Sequence, residues 1–451
     1  MKLPDQFIAK YQRLMGSQAA AFFASFDNPV NYAFRINPLK QNVPENIDLS
    51  KPVPYCQWGY YGKVNGKSVN HQSGAIYSQE PSAMYVGEVA APKAGMKVLD
   101  LCAAPGGKST HLASFLNNTG FLVSNEINHK RAKVLVENIE RFGPQNTLIL
   151  NEDPATIRKH FPGYFDQVVV DAPCSGEGMF HKDPDAMQYW NDEYPAECAT
   201  RQHEILLDAI RTLKPGGELI YSTCTFAPEE DEQVIAWLLD NYPFEMVPIK
   251  KYDGMVDAKP EWANHNPELK KAVRLFPHLF KGEGHFIAKL RLTQAIDEPR
   301  KIKFERGNLN REQKQLWADF MQSSISDLQY HDLIVFGDQL YTLNAETPQL
   351  KGLKVMRPGL LLGTFKKKRF EPSYGLALAL RPDAVKKKIV IDHDQWAQYV
   401  HGDTIKLVPS DANLAKGWYQ LICEGRPIGF GKYVNGTIKN FFPKGLRFIA
   451  N

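Results

Sequence analysis

The stretch LDLCAAPGGKST, residues 99–110, runs from a short apolar strand through a glycine turn into a helix opening. It nearly spells the phosphate-cradling loop GxxxxGK[ST], because Gly107-Lys108-Ser109 supplies the required ending. The first glycine of such a loop belongs at position 102, where this chain has Cys102. Without it the loop cannot wrap a triphosphate, which argues against nucleotide hydrolysis. The next apolar run, GFLVSNEI, ends in Glu126, 19 residues after Gly107, where an acid can accept hydrogen bonds from ribose hydroxyls. A third run leads to Asp153 and a fourth to Asp171. Four successive strand ends thus carry a glycine turn or an acid, and ligands of open α/β sheets sit at those ends. A nucleoside cofactor fits this pattern. Nothing cradles a pyrophosphate, so S-adenosylmethionine suits it better than a dinucleotide.

Around this stretch, residues 93–292 alternate strands with helices, the signature of a doubly wound parallel sheet in an α/β fold. MKVLDLCA, GFLVSNEI, NTLILNED, DQVVVDAP and GELIYSTC read as strands buried on both faces, and GHFIAKLRL (284–292) as a closing strand. Residues 1–92 read as a mixed α+β region expected to bind RNA, with an amphipathic helix and then short aromatic strands. Residues 301–365 form an intermediate region, and residues 386–451 a small β-rich module with glycines between its strands.

The 451 residues, 43% hydrophobic and 23% charged, describe an ordinary globular protein of several domains. The start has neither a signal-peptide core nor a membrane span, and a cytoplasmic location without membrane attachment is expected. Six cysteines (56, 102, 174, 198, 224 and 423) form no CxxC pair, which fits a reducing compartment and argues against structural zinc; no metal is expected. Charge is uneven. Residues 301–451 hold 23 Lys+Arg against 14 Asp+Glu, a balance of +9, although the whole chain is only +4. A basic final third suits a polyanion partner, and solvated loops at KKKR (366–369) and KKK (386–388) are the plainer alternative.

Two thiols sit at neighbouring strand ends, Cys174 in DAPCSGEG (171–178) and Cys224 in YSTCTFAPEEDE (221–232). A pair facing one crevice is harder to explain as core filling than a single cysteine is. Enzymes that methylate amino groups carry an aromatic where Cys174 stands, so the pattern points to a carbon that must first be activated. Cytosine C5 is such a carbon: a thiolate adding to C6 makes C5 nucleophilic, and a base must then remove the C5 proton before the thiol leaves. One thiol for attack and one for release would account for the pair. Asp171 either hydrogen-bonds the cytosine edge or completes the cofactor pocket, and Lys108 either serves the crevice mouth or caps a helix surface. The acids Glu229, Glu230 and Asp231 read as stabilisers of a helix start with Pro228 at its first position.

CAAPGGK (102–108), the acids of SNEI and LNED, DAPCSGEGMFHKDP and LKPGGELIYSTCTFAPEEDE together resemble the Nop/Sun family of RNA cytosine-5 methyltransferases. IYSQEPSAM (76–84) also looks like that family's approach to its core, and the resemblance covers residues 30–292. It implies a Rossmann-like methyltransferase core with Cys224 as nucleophile and Cys174 assisting release. It further implies an S-adenosylmethionine site lined by Cys102, Ala103, Ala104, Pro105, Gly106, Gly107, Lys108, Glu126, Asp153 and Asp171, with Arg131 nearby. GRPIGFGKYVNGTIKNFFPKGLR (425–447) looks like the PUA-type RNA-binding ending of the family's ribosomal branch. On that reading Arg426, Lys432, Lys439, Lys444 and Arg447 contact phosphates. The expected partner is small-subunit ribosomal RNA or a 30S-type particle, met by a monomer. A transfer-RNA methyltransferase and a non-catalytic RNA-binding assembly factor are the alternatives.

Overall fold

The computed structural model describes residues 1–40, 46–298, 301–326, 330, 332–407 and 414–450. Its centre is a ten-stranded sheet. Five strands in the middle of that sheet are parallel: β1 (Lys97–Asp100), β2 (Phe121–Asn125), β3 (Thr147–Leu150), β4 (Phe165–Asp171) and β5 (Leu213–Thr223). The sixth, β6 (His285–Leu292), closes antiparallel against β5, as the sequence led us to expect. The spatial order is β6-β5-β4-β1-β2-β3. The chain therefore builds outward from β1 to β3, returns across the sheet, and resumes at β4. The reversal point lies between β1 and β4, where a ligand crevice is expected.

Both faces of the sheet are covered, which explains why its strands read as unbroken apolar runs. Leu99, Val123, Val168 and Leu219 pack into one layer, and their strand neighbours Val98, Leu122, Val169 and Ile220 into the other. Each is fully buried, and such burial contributes about 1.5–3 kcal/mol per side chain. The helices after β1, β2, β3, β4 and β5 are α1 (Gly107–Leu116), α2 (His129–Phe142), α3 (Pro154–His160), α4 (Tyr194–Ala209) and α5 (Glu232–Asn241). In α2 the residues Ala132, Leu135, Val136, Ile139 and Phe142 recur on one buried face, Asn128 caps the start, and Gly143 at φ 87° ends it.

Before the core, helix Asp5–Met15 buries Phe7, Tyr11 and Met15, and strand Ala33–Ile36 pairs antiparallel with Gly59–Tyr61 and Ile76–Ser78. After it, a four-stranded sheet runs from Leu333 to Pro372, extending past position 365. Helix Tyr374–Ala379 packs against that sheet. Strand Val355–Arg357 from the same region joins the edge of the central sheet, antiparallel to β3. A five-stranded sheet built from Lys388 onward forms the final module. Among the described residues no helix is long and apolar enough to cross a membrane.

Candidate active site

The turn between β1 and α1 is held from behind. Gly106 has φ 117°, a conformation that favours glycine, and a Cβ there would lie 3.3 Å from Leu135 Cδ1. From α2, Asn138 Nδ2 donates to Pro105 O at 2.7 Å and Arg131 Nη2 to Ala104 O at 2.8 Å. From the N-terminal sheet, fully buried Arg35 donates to Gly107 O at 2.9 Å and to Thr110 Oγ1 at 2.8 Å. Of residues 102–107, Cys102 and Ala104 line a cavity of about 650 Å³ at the carboxyl ends of the strands. Ala103 packs with Leu135, Val136 and Ile139 instead. Pro105, Gly106 and Gly107 shape the turn.

The acids expected at strand ends reach this cavity. Glu126, Asp153 and Asp171 line it, together with Arg131. Glu126 Oε1 accepts from Asn128 N at 2.8 Å, and its Oε2 lies 3.5 Å from Arg131 Nη1. Asp153 also caps α3, accepting from Thr156 N at 2.9 Å and from Thr156 Oγ1 at 2.8 Å; these bonds hold its carboxyl below the usual range. A further acid escaped the sequence reading. Asp100 ends β1 fully buried, with Oδ2 accepting from Ser109 Oγ at 2.6 Å and Oδ1 left without a donor. Burial, with Asp171 nearby, pushes its carboxyl up to about 7. The signal was present in LDLC, where Asp100 stands two residues before Cys102 and the start of CAAPGGK. Apolar walls from Ile127, Pro154 and Ile205 and carboxylates at Glu126 and Asp153 fit a nucleoside bearing a cationic amino-acid tail.

Lys108 stands in the first turn of α1 and its ammonium lies 2.5 Å from Asp171 Oδ2, bridging β1 and β4 at the reversal point. Burial disfavours both charges, but the pairing prevails: Asp171 is held far below the usual carboxylate range by Lys108 and His285, and Lys108 above the usual lysine range. Asp171 Oδ1 accepts from Ser222 Oγ at 2.7 Å.

The two thiols meet. Cys174 Sγ and Cys224 Sγ are 3.3 Å apart as free cysteines, and both line the cavity. Contact with Cys224 and burial push the Cys174 thiol well above its ordinary range. Lys108 lies within electrostatic reach of Cys224.

The acids after Cys224 do not cap a helix as expected. Helix α5 begins at Glu232, four residues beyond Pro228, and each acid faces a different partner. Glu229 pairs with Lys10 at 3.0 Å. Buried Glu230 accepts from Ser175 N at 3.0 Å and Gln202 Nε2 at 2.8 Å, and burial pushes it up to about 8. Asp231 accepts from Thr223 Oγ1 at 2.5 Å and lies 3.0 Å from Arg274 Nη2. Glu177 adds a parallel tie, accepting from Thr225 Oγ1 at 2.9 Å and Phe226 N at 3.1 Å. Buried carboxylates thus join the loop bearing Cys174 to the loop bearing Cys224.

In the last sheet, Lys432 pairs directly across from Lys439, a like-charge juxtaposition that suits a polyanion more than a bare surface. Lys439, Lys444 and Arg447 are exposed and Lys432 is half-buried. Arg426 differs from the phosphate contact expected of it. It is only 6% exposed, because it follows the tight Glu424-Gly425 turn and packs against the pocket that holds Lys40.

Strand order, glycine turn and acid-bearing strand ends define a Rossmann-like methyltransferase core. Comparison with known proteins narrows this. Residues 88–291 match the 16S rRNA methyltransferase RsmB/F family, residues 3–81 the N-terminal domain of 16S rRNA methyltransferase RsmF, residues 319–380 the RsmF rRNA methyltransferase first C-terminal domain, and residues 386–448 the methyltransferase RsmF PUA domain. Ribosomal RNA small subunit methyltransferase F of Vibrio campbellii is 30% identical, over 98% of this chain and 97% of its own. The Shewanella loihica protein of the same name is 30% identical, over 94% and 91%. The crystal structure of a methyltransferase homologue from Pyrococcus horikoshii, 30% identical, superposes with a TM-score of 0.55 over 63% of this chain and 94% of its own. The chain belongs to the ribosomal RNA small subunit methyltransferase F family, with a methyltransferase core, an N-terminal domain and a C-terminal PUA domain.

Proposed function

We propose that this chain methylates C5 of a cytidine in small-subunit ribosomal RNA, using S-adenosylmethionine and a transient bond from Cys224 to C6 of the base. The observation that carries the reading is the 3.3 Å between Cys174 Sγ and Cys224 Sγ on one cavity wall. S-adenosylmethionine would be held by Glu126 at its ribose, with Cys102, Ala104, Arg131 and Asp153 around it, and when bound it supplies the electrophilic methyl that C5 accepts.

The chain's own residues do the rest. Cys224, its thiol proton passed to solvent, attacks C6 near the Lys108–Asp171 pair. Asp171 stays ionised, so it accepts a hydrogen bond from the cytosine N4 amino group and does not protonate N3. Cys174, once its own thiol proton has passed to solvent, takes the C5 proton as a thiolate; the C5–H electron pair re-forms the C5=C6 double bond and the Cys224–C6 bond breaks, returning Cys224 as a thiolate. The PUA lysines and Arg447 hold the RNA backbone. The names of the full-length relatives support ribosomal RNA over transfer RNA as the substrate.

Bisulfite sequencing of cellular RNA with and without this protein tests the reading. Loss of 5-methylcytidine from small-subunit ribosomal RNA is expected. Unchanged 5-methylcytidine in ribosomal and transfer RNA alike would refute the activity, whereas a loss confined to transfer RNA would refute the substrate alone. For the cofactor, Glu126→Ala should weaken S-adenosylmethionine binding in calorimetry by about tenfold or more, the scale of a lost charge-assisted hydrogen bond.

A further inference from the structure

A second cavity, of about 590 Å³, opens on the N-terminal sheet, outside the site just described. Its walls combine aromatic rings with ammonium groups. Lys63 Nζ stands 5.1 Å from the ring centre of Tyr32, and Lys281 Nζ stands 4.1 Å from that of Tyr61. Tyr32 is 49% exposed, unusual for so large a ring, and Lys51 adds a third cation against Asp48. The amides of Asn31, Asn46, Asn65 and Asn70 complete the lining, offering donors and acceptors to a base edge. Phe34 also lines the cavity, and the neighbouring Tyr60 stacks on it at 5.9 Å.

One short stretch of chain links the wall of this cavity to the Cys224 loop. Lys281 begins it, and Gly284, three residues on, abuts the Cys224 loop: a Cβ on Gly178 would meet Gly284 O at 2.7 Å and Cys224 O at 2.9 Å. His285 follows, with Nε2 3.8 Å from Asp171 Oδ1. Three residues of chain span at most roughly 11 Å, so the Lys281 backbone lies within that distance of the Gly284 backbone that packs on the Cys224 loop.

We propose that this groove binds an unpaired nucleotide of the RNA substrate, its base stacked on Tyr32 and its phosphates taken by Lys63 and Lys281. The inference rests on the RNA-methylating reading of the chain and adds a single-strand subsite to it. Single-stranded RNA is the occupant because the groove offers what such a strand needs: π faces for bases, cations for phosphates, amides for base edges, and a net positive lining. A lysine over an exposed ring is a weaker contact than a base stacked on that ring. The strand can therefore displace each ammonium onto its own phosphate.

The test uses the full chain and a fluorescein-labelled single-stranded decacytidylate RNA, titrated without cofactor, alongside methylation kinetics on transcribed small-subunit ribosomal RNA. Tyr32→Ala should weaken decamer binding about tenfold and raise KM by a similar factor with kcat unchanged, while Tyr32→Phe keeps wild-type values. Lys63→Ala should lower the slope of log affinity against log salt by about 0.7. Decamer binding unchanged in Tyr32→Ala overturns the proposal. Loss of affinity in Lys63→Ala with none in Tyr32→Ala overturns it too, since the groove would then be a charged patch without stacking. Failure of the underlying reading looks different: the decamer still binds in a Tyr32-dependent way, but ribosomal RNA acquires no 5-methylcytidine.

Discussion

Cys174→Ala should accumulate a covalent protein–RNA adduct, resistant to denaturing electrophoresis, while Cys224→Ala should form none. The asymmetry follows from the order of bond making and breaking. Attack on C6 needs only the nucleophilic sulfur, so it proceeds without Cys174. Release needs a base at C5, and in Cys174→Ala the group 3.3 Å from the nucleophile is gone. Both variants should lose steady-state turnover, by on the order of 10³-fold or more, because a nucleophile and its partner act as a unit. Turnover alone therefore cannot separate the roles, but the adduct can. Radiolabelled RNA, the purified variant and S-adenosylmethionine suffice for the measurement. An adduct in Cys224→Ala and none in Cys174→Ala would exchange the two assignments. No adduct in either, together with residual methylation in both, would remove the covalent route altogether.

The parts of this site that could be read from the sequence are those fixed by a few adjacent residues. CAAPGGK is a turn whose glycines betray its shape locally, and each cysteine directly follows or nearly follows a strand whose apolar run marks its end. The reading fell short where the deciding partner lies far along the chain. PEED looks like the acidic first turn of a helix, yet Lys10, Ser175 and Arg274 claim its acids across 219, 55 and 43 residues and bury two of them. Arg35, in a strand that reads as ordinary, braces the glycine turn from 72 residues away. Asp100 was adjacent to the motif, but whether its second oxygen finds a donor depends on tertiary packing that no spacing reports. Strand Val355–Arg357 is too short for its alternation to register, so only pairing with β3 reveals that the intermediate region extends the core sheet.

Those distant partners also mark where the core is most vulnerable. Arg274→Ala should destabilise the methyltransferase core by about 3–5 kcal/mol, the cost of stripping one member from a buried ionic group. Arg274 is 1% exposed; its Nε donates to Glu232 Oε1 at 2.6 Å, its Nη1 to Phe226 O at 3.0 Å, and its Nη2 lies 3.0 Å from Asp231 Oδ2. Trp262, Phe276 and Phe286 surround its guanidinium at 4.7–5.6 Å, so water cannot replace the lost charge. The pH dependence carries a sign. Burial already raises Asp231 well above the ordinary aspartate range even with Arg274 opposing it, and without the arginine it rises further. A carboxyl with a raised folded-state pKa gives its stability in full below the unfolded value, near pH 4, and loses it as pH increases. The deficit of Arg274→Ala relative to wild type should therefore be smallest at acid pH, where Asp231 is protonated in both folded proteins, and grow once pH passes its raised wild-type value, as read from calorimetric unfolding of both proteins across the pH range. Arg274→Lys, which restores charge without the planar fork, should recover part of the loss. A deficit that is flat with pH would mean that the arginine acts by packing alone, and one that shrinks toward neutrality would contradict the charge argument.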